Sequence, residues 1–287
     1  DPLTDEDWPG GKRLDDGLPE TLSDYIQQQG IRYFKVKISG DPDSDLKRLN
    51  RLWEIMPHER QPEVTLGANE AYQDAEQLFR FIERLERENL GLYQHVSFIE
   101  QPLARSAALE PRTESWMRRC VDRKPVVIDE SDGTLDACRR ALEIGYSGTS
   151  HKNCKGFFKS LANLGLLAQE SLDGRHVIMS GEDLQNLPIV PLHQDLVSVG
   201  SLGITHCERN GHHYNFGLSM LPESEKKAVL AAHPDLYEQR GGEGFLKIRD
   251  GSIDCTSLHA PGYGVQNEPD WESMEPLQVW LKRRHPV

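Results

Sequence analysis

The chain has 287 residues, 37% hydrophobic and 28% charged, and a formal net charge of −13. That balance suits a globular protein. It argues against a nucleic-acid partner, which needs a basic stripe, and no apolar run is long enough to cross a membrane.

The five cysteines, Cys120, Cys138, Cys154, Cys207 and Cys255, form no CxxC pair and read as reduced thiols, which predicts a cytoplasmic protein. The acidic opening "DPLTDEDWPGGKRLDDG" has no apolar stretch and does not read as a secretory signal.

The elements alternate along the chain. "YFKVKI" (33–38) reads as a strand, and 43–56 as an amphipathic helix with Leu46, Leu49, Trp53 and Met56 on one face. Strands follow at 63–69, 95–102, 125–131, 146–152, 175–181 and 204–209. Helices are expected between them at 74–90, 111–123, 135–145, 157–172 and 187–203. Residues 221–287 break this rhythm, and 241–269 read as a short strand pair plus an extended segment. Strands separated by helices predict a parallel sheet with crossovers. Seven strands are one short of an eight-fold β/α barrel, and no glycine-rich phosphate loop supports a doubly wound sheet.

The expectation is therefore an α/β fold, a (β/α)8-type barrel in a (β/α)7β-like form that lacks its first strand in this chain. Residues 1–32 would be a leader and first helix, 33–220 the barrel, and 221–287 a segment packing on it or completing a capping lobe.

Barrel sites lie at the C-terminal ends of the strands. There the sequence places Lys35 and Lys37, then Asn69 and Glu70, Glu100, Asp129 and Glu130, Lys152, Glu182 and Asp183, and Glu208 with His212 just beyond. Converging carboxylates repel one another unless a cation joins them, and oxygen ligands select a hard ion such as Mg²⁺. Lysines facing that charge are expected to have pKa values lowered towards neutrality, where they can act as bases. The histidines of "THCERNGHHY" (205–214) lack zinc-type spacing.

The ordered set "KVK", "IEQP", "DES" and then Lys152, with a late "APGYGV" (260–265), resembles the enolase superfamily. It is most similar to the subgroup of muconate-lactonising enzymes, mandelate racemase-like proteins and dipeptide epimerases. The resemblance implies a lyase or isomerase that removes the proton next to a substrate carboxylate, through an enediolate stabilised by Mg²⁺. It implies Lys37 and Lys152 as acid/base groups on opposite faces, with Lys35 as electrostatic neighbour. It implies Glu100 and Asp129 as metal ligands and Glu208 as a substrate-proximal acid. Asp183 and His212 are further candidates for substrate contact. The partner expected is a small-molecule carboxylate, and a homo-oligomer is left open.

One residue departs from the pattern. The family's first metal ligand is an aspartate after the second matched strand, and here "LGAN" has Gly67 in its place. Asn69, two residues on, is the candidate substitute, a neutral ligand that would weaken metal binding. The alternative function is a metal-deficient, non-catalytic barrel that binds a small molecule or serves as a scaffold.

Overall fold

A computed structural model describes residues 2–8, 10, 13–14, 16–184, 187–209 and 216–284. The chain forms two compact units. The first comprises Asp1–Gln185, Ser198–Asn210 and Ile248–Ile253, and the second Asn186–Val197, Gly211–Lys247 and Asp254–Val287.

The first unit is built on seven parallel strands in sequential order. They are β1 (Tyr33–Lys37), β2 (Glu63–Gly67), β3 (Val96–Glu100), β4 (Val126–Ile128), β5 (Gly148–His151), β6 (Ile178–Leu184) and β7 (Cys207–Arg209). The helices are α1 (Leu22–Gln29), α2 (Pro42–Ile55), α3 (Ala75–Glu88), α4 (Leu90–His95), α5 (Arg105–Ala108), α6 (Glu114–Val121), α7 (Ala137–Ile144), α8 (Phe157–Leu172) and α9 (Val190–Ser201), the last spanning both units. Successive helices pack side by side, α3 on α6, α6 on α7 and α7 on α8.

The strands alternate as the sequence pattern requires. Phe34, Val36, Val64, Leu66, Ile99, Val126 and Ile128 join Leu49, Leu78, Phe81 and Leu85 of the helices in one buried core. Lys35, Lys37 and Glu100 stand on the opposite face. Local signals set the helix starts: Asp74 accepts a hydrogen bond from Gln77 N at 2.9 Å, and Pro42 follows the capping Asp41 at the start of α2.

The sheet curls until its edges meet through side chains. Lys35 of β1 lies 3.0 Å from Glu208 of β7, and His206 lies 3.3 Å from Glu63 of β2. The result is a nearly closed (β/α)7-like barrel, as the strand count predicts. Among the described residues β1 and β7 share no backbone ladder.

Gly148 shows how tightly β5 and β6 approach. A Cβ built there would lie 1.9 Å from the Ile178 carbonyl oxygen, on a backbone with φ +152°. Gly148→Ala should therefore destabilise the protein by about 1–3 kcal/mol, since the strands must part to admit a methyl group. Urea unfolding checks this, and an unchanged midpoint would contradict the close approach.

The second unit holds α10 (Glu223–Ala232) and the antiparallel pair β8 (Tyr237–Arg240) and β9 (Glu243–Leu246). It ends in α11 (Leu277–Arg284). A strand pair was expected within 241–269, which holds β9 but not its partner β8. The helix α10 was not expected: its apolar positions give only a weak stripe, with Val229 and Glu225 its buried residues. A further short pair, β10 (Ile248–Arg249) with β11 (Ser252–Ile253), belongs to the first unit.

Candidate functional site

Parallel pairing sets Lys37, Gly67, Glu100 and Val127 side by side across four strands. Asp129 follows directly after β4, and Lys152 directly after β5. The site is thus laid out by register at the C-terminal edge of the sheet, within the first unit.

The first cluster surrounds Lys35. Its ammonium lies 3.2 Å from Glu100 Oε2 and 3.0 Å from Glu208 Oε2, and it also donates to Glu182. The lysine side chain is only 10% exposed. Burial works against its charge, but Glu182, Glu100 and Glu208 outweigh burial and hold its pKa above the usual lysine range. Three acids share one ammonium. Burial raises Glu100 and Glu182 despite the pull of Lys35. Burial also opposes ionisation of Glu208, yet Lys35 and other partners lower it to about 2. Lys37 is different: its side chain is 47% exposed, with an ion pair to Glu208 at 3.6 Å.

The second cluster surrounds Asp129, which is 2% exposed. Lys152 lies 2.7 Å from its Oδ2 and Lys155 2.7 Å from its Oδ1, and Ser150 donates to Oδ1. Burial raises the Asp129 pKa, but Lys155 and the surrounding hydrogen bonds more than reverse that and hold it well below the usual range. Lys152 also pairs with Asp183, and these carboxylates raise its pKa against the opposing effect of burial. The expected lowering towards neutrality was assigned to the charge of a bound cation; the protein's own groups alone raise Lys35 and Lys152. Their near neighbours are carboxylates, which favour the charged form.

Glu100 and Asp129 bring carboxylate oxygens within 4.8 Å of each other and of a third acid, Glu130. Glu130 Oε2 is buried with no hydrogen-bond partner, and Glu100 Oε2 has its ion pair but no hydrogen bond. Asn69 approaches this group indirectly, donating from Nδ2 to Glu130 Oε1 at 3.1 Å. Gln101, also buried, ties the loops together. Its Oε1 accepts from the backbone N–H of Asp129 at 2.7 Å and of Ser131 at 3.0 Å.

Backbone strain gathers at the same edge. Asn69 (φ 44°), Glu70 (67°), Gln101 (37°) and Asp183 (50°) adopt left-handed conformations just past β2 and β3 and within β6. Non-glycine residues enter this region at a cost and concentrate where side chains must be aimed. At Asp183 the β6–β7 register shifts between Gly181 and Leu184, so Glu182 turns to Lys35 and Asp183 to Lys152.

The structure thus brings Lys35, Lys37, Glu100 and Glu208 together in one cluster, and Asp129, Lys152 and Asp183 in the other. Asn69 is exposed beside Glu130. His212 lies outside the described residues. Sequence reasoning left Lys155 unassigned. It follows Lys152 by three residues across the 3₁₀ turn Asn153–Lys155, whose three-residue repeat returns it to the same side. The spacing K-x-x-K before Gly156 was the available signal.

The family described as "Enolase C-terminal domain-like" matches residues 18–162. Among solved structures, N-succinyl Arg/Lys racemase from Bacillus cereus ATCC 14579 is similar, with TM-score 0.51 and 15% identity over 83% of this chain and 57% of that one. Muconate cycloisomerase from Pseudomonas fluorescens aligns with TM-score 0.43 and 20% identity over 56% of this chain and 41% of that one. Dipeptide epimerase from Enterococcus faecalis V583 aligns with TM-score 0.48 and 14% identity over 65% and 50%. The chain spans less than two thirds of each of these proteins. No curated protein matches it. With half its length matched and the barrel in place, the chain belongs to the enolase C-terminal domain-like family.

Proposed function

We propose that this barrel carries out acid/base isomerisation or elimination on a small-molecule carboxylate, removing the proton next to the carboxyl group. One observation carries the reading. Lysines from β1 and from the end of β5 flank a set of three carboxylates whose oxygens lie within 4.8 Å of one another.

The donor set fits a hard cation. It consists of carboxylate oxygens alone, two of them buried without a hydrogen bond. Glu100, Asp129 and Glu130 would hold the ion, Glu130 supplying the third carboxylate in place of the one absent at Gly67. A divalent cation such as Mg²⁺, when bound, would stabilise the negative charge that proton removal places on the substrate.

The residues divide the remaining work. Lys37, half exposed and lightly held, exchanges a proton on one side of the acid cluster. Lys152 does so on the other, its Nζ aimed by Asp129 and Asp183. Lys35, enclosed by three acids, supplies fixed positive charge. Glu208, beside both β1 lysines, orients Lys37. A pair of acid/base lysines serves epimerisation as well as elimination.

A second reading, a metal-free barrel that binds a small molecule, is favoured by Asp129, both of whose oxygens already meet ammonium groups. The two readings separate in one set of measurements. Calorimetric titration with Mg²⁺ should show binding at millimolar concentration or below, abolished by Glu100→Ala. Proton NMR in D₂O, with a panel of N-acylamino acids and hydroxy acids, should show exchange of the α-proton for at least one compound. Lys152→Ala should slow that exchange by about 100-fold or more, the usual scale for losing a general acid or base. No Mg²⁺ binding at millimolar ion would exclude the first reading and leave the second.

A further inference from the structure

Helix α8 is turned inside out. Its buried residues are Ser160, Asn163 and Leu167. Two of them are polar and serve β5 and the loop after β4: Ser160 Oγ lies 2.7 Å from His151 Nδ1, and Asn163 donates to Asp132 Oδ2 at 3.1 Å. The apolar bulk faces outward, with Phe158 83% and Leu172 82% exposed. A helix lying on a sheet ordinarily turns its apolar stripe towards the sheet. Leu161, Ala162, Gly165 and Ala168 are exposed as well. At 3.6 residues per turn, all of these positions fall within about 60° of Gly165 around the helix axis. Nothing in its own chain requires that glycine. Its backbone is helical, and a Cβ there would meet nothing within 4 Å. Glycine inside a helix costs stability relative to alanine, and a close approach from outside the chain accounts for it.

The order of residues along α8 identifies what covers this face. Phe158 and Leu172 stand seven residues to either side of Gly165, and Ala162 and Ala168 three to either side. Two antiparallel copies of α8, related by a two-fold axis at Gly165, therefore set Phe158 on the partner's Leu172 and Ala162 on the partner's Ala168. Small residues at the crossing let the axes approach, and large ones at the ends close the contact. Charge agrees with this pairing. Asp173 is exposed at the C-terminal end of α8, the negative end of the helix dipole, and makes no ion pair among the described residues. The antiparallel pair carries it to the positive end of the partner's α8, which starts at Gly156 without a capping side chain. We infer that the outer face of α8 is a dimerisation surface, and that it takes α8 of a second copy of this chain in antiparallel register. From Phe158 to Leu172 the contact is only about 21 Å long. It is smaller than a standard interface, so the dimer is reversible, with a dissociation constant on the order of 10 µM.

The test is analytical ultracentrifugation of the full chain from about 1 to about 300 µM, a range that brackets a weak interface. The unmodified protein should pass from the mass of one chain to that of two as concentration rises. Gly165→Leu, whose side chain has open space in its own chain, should weaken the dimer at least about tenfold by forcing the axes apart. Ala162→Lys and Ala168→Glu should each weaken it as well. The two together in one chain should dimerise more tightly than either alone, because each lysine then faces the partner's glutamate. Six residues apart on one helix, the two do not meet within a chain. A single-chain mass at every concentration overturns the proposal. So does a dimer that Gly165→Leu leaves unchanged, which would put the contact elsewhere, as on the exposed Trp280 and Leu281 of α11. A dimer weakened by Gly165→Leu but not recovered by the charge pair overturns the antiparallel pairing of α8 with itself.

Discussion

Replacing Asp129 by alanine should lower unfolding stability by about 3–5 kcal/mol, the usual cost of removing one member of a buried ion pair. Asp129 is 2% exposed and holds Lys152 and Lys155 at 2.7 Å each. Its loss leaves two largely buried ammonium groups facing each other, and Ser150 loses its acceptor. The effect should shrink when both lysines are also replaced by methionine, because the uncompensated charges are then gone. Urea unfolding of the three proteins measures this. A loss below about 1 kcal/mol in the single variant would mean that both lysines reach water, as surface pairs do, and that Asp129 does not hold the cluster.

The second large effect is expected in acid. His193 is fully buried in the second unit, its Nδ1 2.9 Å from the Gly264 carbonyl oxygen and its Nε2 2.9 Å from the Tyr237 hydroxyl. The His233 ring packs edge-on against it at 4.7 Å. Burial first, and then His233, lower the His193 pKa to about 4. Above pH 6.5 the imidazole is neutral in both the folded and the unfolded chain, so stability there does not depend on it. As the pH falls from 6.5 to 4 the unfolded chain takes up a proton that the folded chain refuses. Stability is lost across that window and levels off below it. The full loss is about 3 kcal/mol for this residue. His193→Gln removes the titration, so the gap in melting temperature between variant and unmodified protein should close as the pH is lowered from 7 to 4.5. Parallel melting curves at all pH values would show that His193 can be protonated in place.

Much of this architecture was legible in the chain itself. β1 to β7 each fall within or close to their expected segments because β-branched runs such as "EVTL" and "PVVI" alternate with strongly periodic helices such as α3. The short α4 and α5 were not foreseen, since a one-turn helix of four to six residues leaves too little periodicity to detect. The site was partly legible. Strand-end position alone marked Lys35, Glu100, Asp129 and Lys152, because register converts sequence order into spatial order in a parallel barrel. Which carboxylate meets which lysine was not legible. That depends on where a side chain swings once the sheet has curled, as when Glu182 turns to Lys35 and Asp183 to Lys152. The contribution of the protein's own carboxylates to the lysine pKa values was illegible for the same reason, since it follows from distances rather than from composition.

The packing at Gly67 also constrains how this site could change over generations. Glycine and aspartate codons differ by a single base, so a carboxylate at position 67 is one mutation away. The first carbon of that side chain would nonetheless strike Lys35 Cε at 2.7 Å. Lys35 Cε belongs to the far end of a flexible side chain, so the lysine must swing aside to admit it. Conversely, a shortened Lys35 leaves Glu100, Glu182 and Glu208 without their shared counter-charge until a cation replaces it. The two positions are thus coupled, because a side chain at 67 moves the ammonium that Glu100, Glu182 and Glu208 share.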